Sequence, residues 1–265
     1  MTIKYAYSLS SQPRIIVQQS IRSIRTLLRY TDPNPSDVHL FFTPPVEDED
    51  IERFEKFGVT VHIEKPDFPG GFRTRLGDSR AEYAEKWKLT KIDADTVVFL
   101  DCDTVVLDDL SDVVEGDFDF KARPLDADDP KRWRRVFNQY GESYRPWYPN
   151  TGFLVFKNRT HERIKSRWNR YIRAEIPYYV EGYTKEQFAL ALATADYKFE
   201  PMTPQEHVME WLDETRTDGY VYHLANGEIS VRQEMLNAID GSLPAPIQDV
   251  LKSRFRSHYD AIDTK

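Results

Sequence analysis

The chain has 265 residues, of which 40% are apolar, so it is long enough to bury a sizeable core in one large domain. Its 36 basic and 44 acidic residues give a net charge of -8, which argues against nucleic acid or an anionic membrane as a partner, because both repel a surplus of acid. A single cysteine excludes an intramolecular disulfide and a cysteine-ligated zinc site, and it favours the cytoplasm.

The first half of the chain alternates between predicted strands and helices. Apolar periodicity predicts strands at residues 3–9, 38–43 and 59–63, and helices at residues 15–30 and 51–57. A loop rich in glycine and proline is predicted at 65–78, followed by a helix at 80–92. This alternation is typical of a mainly parallel sheet with flanking helices. No segment has the apolar length of a signal peptide or of a membrane span, so neither is expected.

The central feature of the sequence is a buried-strand pattern that ends in two acids. Residues 97–100 are continuously apolar, and Asp101, Cys102 and Asp103 follow directly. In an open α/β sheet, ligands bind beyond the carboxyl ends of the strands. Two partly desolvated carboxylates at such a place repel each other, so a divalent cation is their natural partner. The alternative is an Asp-rich turn with a purely structural role.

The second half of the chain is predicted to continue with shorter elements. An acidic turn is expected at 108–112, and a long loop rich in charged and aromatic residues at 124–149. Its aromatic side chains indicate either an acceptor that stacks on rings or a part of the core. The remaining predicted elements are strands at 118–122, 152–156, 197–199 and 220–224, helices at 161–175 and 184–194, and a helical tail from 231 that is broken at 241–246.

Five short motifs follow one another along the chain: Lys86 on a helix, Asp101-Cys102-Asp103-Thr104, Asn150-Thr151-Gly152-Phe153, Glu186-Gln187 and His223. Their order resembles that of the GT-A glycosyltransferases. The pattern is most similar to the glycogenin and galactosyltransferase-like group, and it covers about residues 3–227. The resemblance implies a single α/β domain of GT-A type over residues 1–265, with a Rossmann-like core at about 1–227 and a helical extension at about 228–265.

The same resemblance implies an activity. It is the transfer of a sugar from a nucleotide-diphosphate sugar donor to a carbohydrate or other hydroxyl acceptor, with retention of configuration. Asp101, Asp103 and His223 would bind Mn²⁺ or Mg²⁺, which oxygen and imidazole ligands suit. Such a cation stabilises the negative charge that develops on the leaving diphosphate. Cys102 lies among the implied donor-binding residues as a small spacer without a reactive role.

Further donor-binding roles are implied residue by residue. Lys86 would contact the diphosphate, although Lys88 competes for that role, because residues two apart on a helix point to nearly opposite sides. Asn150 and Thr151 would face the donor sugar, although a simple turn before a strand also favours these residues. Where the group has Lys-Pro-Trp after its histidine motif, this chain has 228–230 reading Glu-Ile-Ser.

Two other pairs complete the implied site. Tyr7 and Ser8, at the end of the first strand, would contact the nucleoside. Glu186 and Gln187 would act near the reacting sugar carbon, in the place of the family's Asp-Gln pair. The alternative for Glu186 is an acid at a helix start, where it interacts favourably with the helix dipole.

Two alternatives belong to other functional classes. A haloacid-dehalogenase-type phosphatase also uses an apolar strand followed by Asp-x-Asp, with the first acid as nucleophile and Mg²⁺ as cofactor. Against it, the motif lies behind three β-α units, and Lys121 stands where the later Gly-Asp-x-x-x-Asp motif requires its second acid. The other alternative is a GT-A-like protein that binds a nucleotide or carbohydrate without turnover. Nicotinamide-binding, P-loop and zinc-protease motifs are absent from the sequence.

Overall fold

A computed structural model describes residues 2–10, 14–67, 85–174, 185–209, 211–213 and 218–224. The strands are β1 Ile3–Ser10, β2 Val38–Thr43, β3 Thr60–Ile63, β4 Thr96–Leu100, β5 Thr104–Val106, β6 Phe120–Asp126, β7 Trp147–Phe156, β8 Phe199–Pro201, β9 His207–Met209 and β10 Val221–His223. The α-helices are α1 Arg14–Tyr30, α2 Asp48–Glu55, α3 Ser111–Val114, α4 Pro130–Tyr140, α5 Thr160–Arg173 and α6 Lys185–Ala193. Short 3-10 helices cover Pro35–Asp37 and Glu85–Lys91.

The chain divides into two compact units. Unit 1 comprises residues 1–11, 34–101 and 116–202, and unit 2 comprises residues 12–33, 102–115 and 203–265. The predicted helical extension from about residue 228, the broken tail from 231 and most of the predicted loop at 65–78 lie outside the described residues.

Unit 1 is built on a seven-stranded sheet in the order β3-β2-β1-β4-β7-β6-β8. β3, β2, β1 and β4 run parallel, β7 runs antiparallel to both β4 and β6, and β8 is parallel to β6. The prediction of an α/β fold with a mainly parallel sheet is therefore confirmed. Every residue of β4 is buried, as its continuous apolar run predicts.

The segment at 124–149 is not a long loop, so that prediction is wrong. β6 extends to Asp126, α4 occupies Pro130–Tyr140, and β7 begins at Trp147. Local signals start and stop this helix: the Asp129 carboxylate accepts a 3.0 Å hydrogen bond from the Arg132 amide, and Gly141 ends it with a φ of 70°. Trp133 is fully buried in the core, so the indole is a packing residue.

The helix predicted at 80–92 is, over its described part, a 3-10 helix at Glu85–Lys91. With three residues per turn, Glu85 and Lys88 lie on the same side, and their charged groups are 2.8 Å apart. Both side chains are buried. The tighter winding therefore suits this ion pair, and apolar periodicity alone does not reveal it.

Unit 2 contains a small sheet in the order β5-β10-β9. β10 is antiparallel to β5 and parallel to β9, a three-residue strand that the sequence did not predict. Helix α1 is tied to β5 by two polar contacts: Ser23 Oγ lies 2.9 Å from Thr104 Oγ1, and the Val106 amide donates to Thr26 Oγ1 over 3.1 Å. Among the described residues, every helix is too short or too polar to cross a lipid bilayer.

Candidate active site

The carboxyl end of β4 carries an ion pair between Lys86 and Asp101. Lys86 Nζ donates to Asp101 Oδ2 over 2.7 Å, and the lysine side chain is only 6% exposed. The ammonium group also lies 5.6 Å from the centre of the Phe99 ring. Of the two lysines that the sequence left open, Lys86 reaches the acid that follows β4. Lys88 instead pairs with Glu85 and donates to the carbonyl of Lys65.

Thr151 and Glu186 extend this cluster. Thr151 Oγ1 lies 3.2 Å from Lys86 Nζ and donates a 2.5 Å hydrogen bond to Glu186 Oε1. Glu186 Oε1 in turn lies 3.6 Å from Lys86 Nζ. One ammonium group therefore faces two carboxyl groups, and a hydroxyl bridges the ammonium and the more distant carboxyl.

Glu186 is an unusual acid because it is almost completely buried. Its pKa is raised to about 7: burial raises it most and the nearby Asp101 carboxylate adds to the increase, whereas Lys86 and the Thr151 hydroxyl oppose it. Its Oε2 atom and the Oε1 atom of Gln187 have no hydrogen-bond partner among the described residues. Both atoms can thus accept a hydrogen bond from a bound molecule.

The helix that carries Glu186 is fixed within the core. In α6 the residues from Phe188 to Ala193 are all buried, so the carbonyls just beyond its end need partners inside the protein. Arg145 supplies them: its Nη2 atom donates to the carbonyls of Thr194, Ala195 and Tyr197 over 2.9, 3.1 and 2.8 Å. Glu186 is therefore presented by a rigid support.

Strand β7 brings the Asn150-Thr151-Gly152 motif beside Asp101. The Asp101 amide donates to the Gly152 carbonyl over 2.8 Å, which continues the antiparallel pairing of β4 with β7. The Asn150 side chain is buried and its Oδ1 atom accepts a 2.8 Å hydrogen bond from the Gly152 amide. The Asn150 side chain thus stabilises the local backbone conformation, while the Thr151 side chain contacts Lys86 and Glu186.

Tyr7 and Ser8 lie on β1. Tyr7 is fully buried, whereas Ser8 is partly exposed, so Ser8 is the more accessible member of this pair. Their proposed contact with a nucleoside stays a prediction.

Unit 2 joins Asp103 to the late histidine of the motif order. His223 Nε2 lies 3.3 Å from Asp103 Oδ1, and the Leu224 amide donates to the Asp103 carbonyl over 3.0 Å. The pairing of β10 with β5, in which His223 lies opposite Thr104, produces this proximity. A carboxylate oxygen and an imidazole nitrogen on neighbouring chain segments form a donor set that fits Mn²⁺ or Mg²⁺.

Two residues that the sequence did not indicate surround His223. The His207 ring, which is fully buried on β9, stacks on the His223 ring with centroids 5.5 Å apart. The Trp211 ring meets His223 edge-on at 5.3 Å. The sequence gives little sign of His207, because a strand of three residues is too short to show an apolar periodicity.

Comparison with known proteins supports the fold. No family model and no curated protein sequence matches the chain. Among solved structures, it is similar to LgtC, a galactosyltransferase in complex with donor and acceptor sugar analogues, at 16% identity and a TM-score of 0.61, over 91% of this chain and 96% of that one. It is also similar to GlyE of Streptococcus pneumoniae TIGR4, at 14% identity and a TM-score of 0.56, over 97% and 64%.

A third similar structure is the bifunctional glycosyltransferase WbbM, at 13% identity and a TM-score of 0.61, over 85% of this chain. The match covers 46% of the WbbM chain, so this chain spans about half of that protein. At such identities the likeness establishes the fold, and the predicted GT-A fold is confirmed.

Proposed function

We propose that the chain is a metal-dependent glycosyltransferase that moves a sugar from a nucleotide-diphosphate sugar to a carbohydrate or other hydroxyl acceptor. The observation that carries the proposal is the 3.3 Å approach of His223 Nε2 to Asp103 Oδ1. The two residues are far apart in the sequence, and metal ligation is a direct reason for an acid and an imidazole to converge. The GT-A fold adds support, and it disfavours the phosphatase alternative.

Asp103 and His223 would hold Mn²⁺ or Mg²⁺. Asp101 would join them, because it lies only two residues from Asp103 in the short turn between β4 and β5. When bound, the cation supplies positive charge that stabilises the departing nucleoside diphosphate. Cys102, the small residue between the acids, would leave both side chains free to converge.

The cluster in unit 1 would bind the donor sugar and its diphosphate. Lys86 would donate hydrogen bonds to the negatively charged diphosphate, and its ion pair with Asp101 would weaken when the diphosphate binds. Glu186 Oε2 and Gln187 Oε1 would accept hydrogen bonds from sugar hydroxyls near the reacting carbon. Since the pKa of Glu186 is raised to about 7, this acid can also take up or release a proton near neutral pH.

Retention of configuration and the cytoplasmic location are further parts of the proposal. Retention rests on the resemblance to the glycogenin and galactosyltransferase-like group. The location rests on the single cysteine. NMR of the product would test the stereochemistry, since an inverted anomeric centre would exclude that group while preserving the transferase.

Calorimetric titration of nucleoside diphosphates with and without Mn²⁺ tests the metal site. Wild type should bind at least one of them more tightly with the metal, and Asp103→Asn, which keeps the shape but removes a charge, should lose that gain. His223→Ala should weaken metal-dependent binding by about 10 to 100 fold. Unchanged, metal-independent binding in Asp103→Asn would refute the assignment.

A turnover assay separates the enzyme from a protein that only binds. Incubation with a set of nucleotide sugars should release nucleoside diphosphate, and the release should depend on Mn²⁺ and on Asp103. Metal-dependent nucleotide binding without any release would favour the non-catalytic alternative.

A further inference from the structure

Trp211 differs from the other four tryptophans of the chain because it is exposed. Its residue is 41% exposed and the adjacent Leu212 is 54% exposed, whereas Trp87, Trp133 and Trp168 are buried and Trp147 is partly buried. A large aromatic ring with a neighbouring apolar side chain on the surface is costly in water unless something covers it.

The turn that carries Trp211 is tightly closed. The amides of Leu212 and Asp213 both donate to the Met209 carbonyl over 2.9 Å, and Asp213 Oδ2 accepts a 3.0 Å hydrogen bond from the Met209 amide. Met209 belongs to β9 and pairs with His223 on β10. The indole is thus held in place by backbone hydrogen bonds that extend from the sheet.

The position of this ring connects it with the candidate metal ligands. The centroids of the Trp211 and His223 rings are 5.3 Å apart in a T-shaped arrangement, and His223 is the residue that approaches Asp103. A tryptophan whose only task was to shield the histidine would be expected to bury both faces. Trp211 instead remains 41% exposed while it contacts a proposed metal ligand.

We propose that Trp211 is the stacking platform for a neutral pyranose ring of the acceptor. A pyranose has an apolar face of C–H groups that packs well on an indole, and its hydroxyls remain free to bond elsewhere. Among the described residues of the turn that carries Trp211, Asp213 is the one charged side chain, and it is acidic. An uncharged sugar suits such a surface better than a phosphate does, because like charges repel.

This inference rests on the proposed function, since the acceptor has meaning only for a transferase. Binding of a saccharide to Trp211 can be tested separately, because it needs neither the metal nor the donor. Trp211 would be a specificity-determining residue. Trp211→Leu, which keeps an apolar side chain beside His223, should raise the KM for the acceptor more than it weakens metal-dependent nucleotide binding.

The test is tryptophan fluorescence of the full chain, titrated with methyl glycosides of common hexopyranoses and with the corresponding disaccharides. At least one of them should quench or shift the emission and protect it from acrylamide, because Trp211 is the exposed tryptophan. Trp211→Leu keeps apolar bulk but loses the ring face and the fluorescent reporter. Its affinity for that saccharide is therefore measured by calorimetry, and it should be about tenfold lower than that of wild type. Trp211→Phe should retain most of the affinity, and Leu212→Ala serves as the neighbouring control.

Calorimetry with Mn²⁺ and a nucleoside diphosphate on the same variants distinguishes the two proposals. Retained nucleotide binding with lost saccharide binding in Trp211→Leu supports the platform. Saccharide affinity equal to wild type in that variant, or no response of wild type to any saccharide, overturns it. If wild type binds no nucleotide, the proposed function fails while the saccharide result still decides the role of the indole. Should Trp211→Leu fail to fold, acrylamide protection in wild type gives the decision.

Discussion

Lys86 Nζ lies 3.6 Å from Glu186 Oε1, against 2.7 Å from Asp101 Oδ2. The single ammonium group therefore compensates Asp101 more fully than Glu186. Burial is the largest effect on the pKa of Glu186, and Lys86 offsets it only in part. Glu186 therefore keeps its proton up to about pH 7.

Replacing Glu186 by Gln should change how stability depends on pH. The pKa of Glu186 is raised from 4.5 to about 7 in the folded protein, so its contribution to stability is fully present below pH 4.5 and is lost as the pH rises through 7. Glu186→Gln has no proton to lose, and relative to wild type it should gain up to about 3 kcal/mol of unfolding free energy between these limits. Urea denaturation at several pH values measures this difference.

Thr151→Val provides the companion variant. The Thr151 hydroxyl hydrogen-bonds to Glu186 and lowers its pKa, so its removal should make the loss of stability with rising pH larger than in wild type. A difference between wild type and Glu186→Gln that stays constant with pH would contradict this account.

Lys86→Met and Lys88→Met should separate stability from function. Both lysines are buried in ion pairs. Removal of Lys88 should lower the unfolding free energy by about 3 to 5 kcal/mol, because Glu85 is buried, and removal of Lys86 should lower it less, because Asp101 is partly exposed. Only Lys86→Met should also weaken metal-dependent binding of a nucleoside diphosphate. Denaturant titration and calorimetry, under conditions in which both variants are folded, give the two readouts. Equal nucleotide binding by the two variants would argue against a role for Lys86.

Gly219→Ala should disturb the sheet that positions His223. A Cβ atom at position 219 would lie 2.1 Å from Val208 Cγ2. The Gly219 amide also donates a 3.3 Å hydrogen bond to the Tyr222 hydroxyl. Either β9 or the segment before β10 must move, so the melting temperature and metal-dependent nucleotide binding should both fall. The double variant Gly219→Ala with Val208→Ala removes the obstructing methyl and should recover part of both losses. No recovery would show that the clash is not the cause.

His39 should contribute to acid sensitivity. Its Nδ1 atom lies 2.9 Å from His62 Nε2, and burial, then Lys4 and His62, lower its pKa to about 4, against a small opposite effect of Asp37. A lowered pKa means that stability is present above pH 6.5 and is lost as the pH falls through 4. Melting temperatures between pH 7 and 4 should therefore fall less steeply for His39→Gln than for wild type. An identical slope would exclude His39 as a source of the acid sensitivity.

The sheet core and the cluster around β4 could be predicted because their signals are local or ordered along the chain. The apolar run before Asp101 is a strand at the predicted place, and Asp103 and His223, both named by the motif order, lie 3.3 Å apart. The mixed direction of the sheet could not be predicted in the same way. The antiparallel placement of β7 depends on contacts between distant segments, which periodicity does not encode.

Helix α4 shows that a usable signal was missed. Asp129 followed by Pro130 is a typical helix start, Trp133, Val136 and Phe137 lie on one face, and Gly141 is a typical end. The density of charged residues obscured this pattern. By contrast, the raised pKa of Glu186 and the exposure of Trp211 depend on tertiary burial, so no sequence pattern could reveal them.

Cys102 has a use that follows from its place between Asp101 and Asp103. It is the only cysteine of the chain, it is partly exposed, and it forms no disulfide. A thiol-reactive fluorophore or spin label would therefore attach at one defined position, one residue from each acid. Paramagnetic Mn²⁺ would quench or broaden the signal of such a label, so the unmutated chain already contains its own attachment point for a distance-sensitive probe.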